Sequence, residues 1–123
     1  MAKDFSRTRR IGEQMQRELA ILIQQEIQDP RLGMVTVSAV EVSRDLAHAK
    51  VYITVLDDQQ HDVATSLEVL NRAGGFLRHE LGRRMTLRTV PALHFVYDES
   101  MARGNALSRL IDEAVKSDKP SDE

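Results

Sequence analysis

The segment Asn71-Arg72-Ala73-Gly74-Gly75-Phe76-Leu77-Arg78-His79-Glu80-Leu81-Gly82-Arg83-Arg84 carries the residues of this chain best suited to chemistry with a polyanion. A helical apolar pattern runs into two adjacent glycines and then resumes, with arginines off its apolar face. Each glycine within a helix costs about 1 kcal/mol relative to alanine, so the pair predicts a bend or a break between two short helices. A helix that restarts there presents backbone N–H groups beside positive side chains, a combination suited to phosphate. Five arginines, Arg72, Arg78, Arg83, Arg84 and Arg88, stand against one acid, Glu80, over residues 72–88. Together with Ala73, Gly74 and Gly75 they form the candidate phosphate-binding set. A solvated helix face is the ordinary reading of such charges; the glycine pair is what shifts the reading here.

The phase of the pattern adds detail. Val63, Leu67, Leu70, Leu77 and Leu81 hold one stripe at helical spacing. At roughly 100° per residue, Arg72, His79 and Arg83 fall on the opposite side. Phe76 fits badly, because in an unbroken helix it lies nearer the arginines; either a kink at Gly74-Gly75 rotates it into the core, the favoured reading, or it stays partly exposed. A second basic cluster, Lys3, Arg7, Arg9 and Arg10, sits at the start of the first helix. That is the unfavourable end of the macrodipole for cations. It reads either as a solvated arm or as a second phosphate contact.

No constellation for catalysis accompanies these cations. His48, His61, His79 and His94 are dispersed, with no pair at metal-ligand spacing. The glycine-rich segment has neither the Walker spacing nor GxGxxG, and no serine lies in a nucleophile elbow. His94 reads as a surface or packed residue, and Asp57 and Asp58 as helix-entry residues. The expectation is a non-enzyme without metal or cofactor.

A chain of 123 residues fits one domain with a tail. With 4% aromatics, its core must rest on Val, Ile, Leu, Ala and Met. The absence of cysteine excludes disulfides and thiol catalysis and fits a reducing compartment. No apolar run approaches a membrane span and no secretory h-region is present, so an intracellular, cytoplasmic protein is expected. Net charge is −2, but the basic segment would still govern contact with a polyanion.

These residues need elements to position them. Ile11, Met15, Leu19, Leu22, Ile23 and Ile27 predict a helix over residues 6–28, capped by Asp4 or Ser6 and ended by Asp29-Pro30. Val35, Val37 and Ala39 alternate with Thr36 and Ser38, and Val51, Ile53 and Val55 alternate with Lys50, Tyr52 and Thr54, as two strands. Ser43-Arg44-Asp45-Leu46 joins them as a hairpin without the glycine of the tightest turns. Asp57-Asp58-Gln59-Gln60 is expected to open the kinked helix pair, which runs to Arg84. Leu93, Phe95 and Tyr97 form a third strand, and Leu107, Leu110, Ile111, Ala114 and Val115 a last helix. Residues 1–115 are expected to form the domain and residues 116–123 a disordered acidic tail. The order α-β-β-α-kink-α-β, plus a C-terminal helix, predicts an α+β fold whose three-stranded sheet carries helices on one face.

This order resembles a type II KH domain, with Ala73-Gly74-Gly75 in place of the usual Gly-x-x-Gly. That triplet is similar to the Ala-x-Gly interhelical kink of the bacterial ribosome-binding factor A family. Val40-Glu41-Val42-Ser43-Arg44-Asp45-Leu46 with Ala49-Lys50-Val51-Tyr52 resembles that family's hairpin. Phe76 to Gly82, Leu87-Arg88, Pro91-x-Leu93-x-Phe95, Arg7-Thr8-Arg9-Arg10 and Asp29-Pro30-Arg31 also fit. The resemblance covers residues 5–100. It implies a KH-like RNA-binding domain that binds the small (30S) ribosomal subunit and its 16S rRNA and supports late maturation and rRNA processing, including in the cold. It also implies assembly GTPases as functional partners; ribosomal proteins are a further candidate contact, and a monomer is expected. Arg72, Ala73, Gly74, Gly75, Arg78, Arg83, Arg84 and Arg88, with Lys3, Arg7, Arg9 and Arg10, would then contact RNA. The alternative is a protein-interaction module without direct RNA contact.

Overall fold

The computed structural model describes the backbone of residues 2–99 and the side chains of residues 7–99. The expected last helix and acidic tail lie outside the described residues. The element order is α1 (Ala2–Glu26), β1 (Val35–Val42), β2 (His48–Val55), α2 (Val63–Arg72), α3 (Gly74–Arg84) and β3 (Ala92–Tyr97). Strand β2 is central, antiparallel to β1 and parallel to β3. A parallel neighbour needs a long crossover, and α2 and α3 supply it.

The helices cover one face of this mixed sheet. Met15, Leu19 and Leu22 of α1, with Leu70, Leu77 and Leu81 of the helix pair, pack with Val37, Val51, Ile53, Val55 and Phe95 in one core. On the other face Glu41, His48, Lys50 and His94 are exposed. Gly12 lets α1 lie against the edge strand: a Cβ there would stand 2.6 Å from the Val40 carbonyl oxygen. Further along, Gln16 Nε2 donates to the carbonyls of Val37 and Ser38. The edge is therefore partly covered by a helix rather than left open for pairing.

Several boundaries differ from the sequence reading. Helix α1 begins at Ala2, so Asp4 and Ser6 lie inside it rather than at its cap. It ends at Glu26, and Asp29 then closes a turn, accepting from the Arg31 N–H at 2.9 Å and meeting its guanidinium at 2.8 Å. These bonds to Arg31 lower the Asp29 carboxyl to about 2. Strand β1 runs on to Val42 through a register shift between Val37 and Ala39. The extra residue turns Ala39 outward and Val40 and Val42 inward, so Ala39 does not share the face of Val35 and Val37. Residues 57–60 form turns rather than helix, and Asp62 caps α2 by accepting from the Thr65 N–H at 3.2 Å. Asp57 instead reaches back across the chain, accepting from the Met34 N–H at 2.7 Å; that bond, with His61 beside it, lowers its carboxyl. The hairpin manages without glycine by placing Leu46 at φ 62°. Asp45 accepts from the Ala47 N–H and the Ser43 hydroxyl and holds the turn in that conformation.

Candidate nucleic-acid interface

The interruption between α2 and α3 is one residue long and falls at Ala73, just before the glycine pair. Ala73 has φ −84° and ψ 2°, in the sparsely populated bridge region rather than the helical well. Its N–H bonds back to the Val69 carbonyl at 3.1 Å, and its carbonyl accepts from the Leu77 N–H at 2.9 Å, so it closes one helix and opens the next. No side chain caps the start of α3. Gly74 is buried, with its absent Cβ an ordinary 3.8 Å from the Leu93 carbonyl oxygen, whereas a Cβ on Gly75 would meet nothing within 4 Å. Neither glycine has a positive φ. The fold itself thus makes no steric demand for glycine at position 75.

Asn71 anchors the hinge to the sheet. Its side-chain amide donates to the Phe95 carbonyl at 3.2 Å and its carbonyl accepts from the Phe95 N–H at 2.9 Å. The last turn of α2 is thereby tied to the outer edge of β3, with Gly74 beside Leu93. The sequence marks the role of Asn71 only by a two-way hydrogen-bonding amide just before the interruption.

The arginines divide by what they already hold. Arg72 pairs with Glu68 at 2.8 Å, with both side chains more than half exposed, a contact worth about 0–1 kcal/mol and easily exchanged for another anion. Arg83 reaches Glu80 only at 3.5 Å. Arg88 is exposed with no ion pair or hydrogen bond among the described residues. Arg78 and Arg84 have structural tasks: Arg78 Nε donates to the Val90 carbonyl at 2.9 Å, and Arg84 meets Glu18 of α1 at 3.1 Å. Arg7, Arg9 and Arg10 are exposed on α1, and Lys3 lies in its first turn. Gly12 of α1 sits over Val40, near the end of β1. Leu93, beside Gly74, aligns with Ala49, which pairs with Val42 at that same end. The hinge and the N-terminal arginines therefore lie toward one end of the sheet, on its opposite flanks.

Phe76 does not enter the core. It is 44% exposed, on the side of α3 that the helical phase assigned to the arginines, while Leu77 and Leu81 point inward. Because the interruption comes before Gly74, residues 74–84 form one continuous helix, and nothing rotates Phe76 away from its phase.

Among the described residues no group of three or more His, Asp or Glu side chains could hold a metal ion, and no helix is long and apolar enough to cross a membrane. The fold and the hinge together define an α+β domain in which an arginine-bearing interrupted helix pair packs on a three-stranded mixed sheet. The family profile described as ribosome-binding factor A matches residues 7–111, and the chain belongs to that family. It is 62% identical over 126 residues to ribosome-binding factor A of Stutzerimonas stutzeri, covering 100% of this chain and 98% of the relative. With that of a Pseudomonas aeruginosa strain it shares 63% over 119 residues, covering 96% and 92%. The crystal structure of ribosome-binding factor A from Thermus thermophilus aligns with TM-score 0.66 at 33% identity, over 73% of this chain and 93% of that one. A Thermus thermophilus ribosome-binding factor A fitted into a cryo-EM map of a 30S complex aligns with TM-score 0.61 at 34% identity, over 72% and 91%.

Proposed function

We propose that this chain binds the small (30S) ribosomal subunit through its 16S rRNA, with the hinge between α2 and α3 and the cations around it as the contact. It acts there as a non-catalytic maturation factor in the cytoplasm. It supports late rRNA processing, including in the cold, and leaves the mature subunit as a monomer, with assembly GTPases as functional partners. The observation that carries this reading is membership of the ribosome-binding factor A family, one member of which is described in a 30S complex.

The hinge supports the choice of surface. Space over Gly75 is open, so a phosphate can approach the backbone where a side chain would hold it off. Arg72, Arg83 and Arg88 are exposed and weakly held or unpaired among the described residues. They can exchange their present environment for phosphate, releasing counterions from the RNA. Arg7, Arg9 and Arg10 add a second group of cations toward the same end of the sheet, and Lys3 precedes them in α1. Arg78 and Arg84 contribute field, but their fixed contacts make them positioning residues first.

The test is sedimentation of the full chain with ribosomal particles, followed by crosslinking. Co-migration with free small subunits and crosslinks from the hinge to RNA are expected. Migration with assembled ribosomes alone, or crosslinks only to ribosomal protein, would favour the protein-interaction module instead.

A further inference from the structure

We propose that Phe76 is a stacking platform for an unpaired base of the bound RNA, an inference that rests on the RNA-binding reading above. Four large apolar side chains stand exposed on the described surface, Ile21, Met34, Leu56 and Phe76, and Phe76 is the only aromatic one among them. Single exposed apolar residues are ordinary, so the surroundings of this ring decide the matter. On α3, residues three and seven positions on share its face. Those residues are His79 and Arg83, both exposed. Phe76, His79 and Arg83 thus form a stripe about 10 Å long at 1.5 Å per residue. Each has a planar group of the kind on which unstacked RNA bases are held.

Charge argues for a nucleotide over an apolar protein pocket. Exposed Arg72 precedes the ring across the hinge, and Arg83 closes the stripe. The nearby acids, Glu68 and Glu80, are already drawn to those same arginines. Gly75, next to the ring, has open space above it. A flat apolar face among cations, with a clear approach, fits a polyanion whose bases can splay out from its backbone. Stacking tolerates any base, so this contact adds affinity and fixes local geometry without reading a sequence.

The chain contains no tryptophan, so Phe76→Trp supplies a single reporter at an exposed position. The test compares the full chain with its Phe76→Trp, Phe76→Leu and Phe76→Ala variants for binding to purified 30S subunits across a salt series. A urea titration of each checks the fold. Phe76→Trp is expected to bind like the parent, with its emission quenched by the subunit. Phe76→Leu and Phe76→Ala are expected to lose roughly 5- to 150-fold in affinity, with the salt dependence unchanged. Leucine keeps the apolar bulk and loses the aromatic face, so parent-like binding by Phe76→Leu overturns the proposal. A blue-shifted, brightened tryptophan also overturns it, because the ring would then sit in a protein pocket. Either result with salt-dependent binding intact leaves the RNA-binding reading standing. Failure of the parent chain to bind 30S subunits brings down both.

Discussion

Replacing Gly75 with alanine separates what the hinge does for the fold from what it does for a ligand. The added methyl group would meet no heavy atom within 4 Å, and Gly75 does not have a positive φ. The substitution therefore introduces no clash and no backbone strain. It removes conformational freedom from the unfolded chain and should stabilise the protein by about 0.4–1 kcal/mol. For a domain of this size that is a rise in Tm of roughly 2–5 °C. The same methyl group occupies the space through which phosphate would reach the backbone. A charge-assisted hydrogen bond lost there weakens binding on the order of ten- to a hundredfold. Urea and thermal unfolding give the first quantity, and titration with 30S subunits gives the second. A more stable protein that binds less well is the expected pair of results. A destabilised Gly75→Ala would show that the added methyl group meets an obstacle at this position. A stabilised variant with unchanged affinity would refute the close approach of the ligand backbone at this position.

Other substitutions test the scaffold that carries the hinge. Gly12→Ala places a methyl group 2.6 Å from the Val40 carbonyl oxygen. The helix or the edge strand must then shift, at a cost of roughly 1–3 kcal/mol in urea unfolding. Asn71→Ala removes both bonds to Phe95 and should cost about 1–3 kcal/mol by the same measurement, with faster amide exchange at Phe95. The Asp29 carboxyl, lowered from 3.8 to about 2 by Arg31, stabilises the fold fully above its ordinary value and loses that contribution as pH falls through about 2. A carboxyl-carbon NMR titration should find this midpoint, and Arg31→Ala should return it toward 3.8.

The fold was legible where one periodicity met one buried face. The stripe from Ile11 to Ile27 and the alternation of Val51, Ile53 and Val55 state directly which sides face the core, and the burial of those residues follows them. What the sequence did not reveal depends on partners distant in the chain. The shift after Val37 exists because β1 must stay in register with β2, and no local pattern marks Ser38 as the extra residue. Asp57 looks like a helix-opening acid, yet its oxygen serves Met34, 23 residues away. At the site, the interruption was expected from the glycines and lies one residue earlier, at Ala73. Phe76 illustrates a conflict between two local rules. The kink expected at Gly74-Gly75 argued for the core and its phase for the surface, and an uninterrupted α3 let phase decide. Which arginines are free was not readable at all, because Val90 and Glu18 engage Arg78 and Arg84 through tertiary contacts.

The most direct measurement is the affinity of the full chain for 30S subunits over a salt series, set beside a variant with Arg72, Arg83 and Arg88 all changed to alanine. None of these three holds a tertiary hydrogen bond or ion pair among the described residues, so the fold should persist. Electrostatic binding at the hinge predicts weaker binding at every salt concentration and a plot of log affinity against log salt that flattens by up to about 2 in slope. Two superimposable lines would contradict the placement of RNA on this surface.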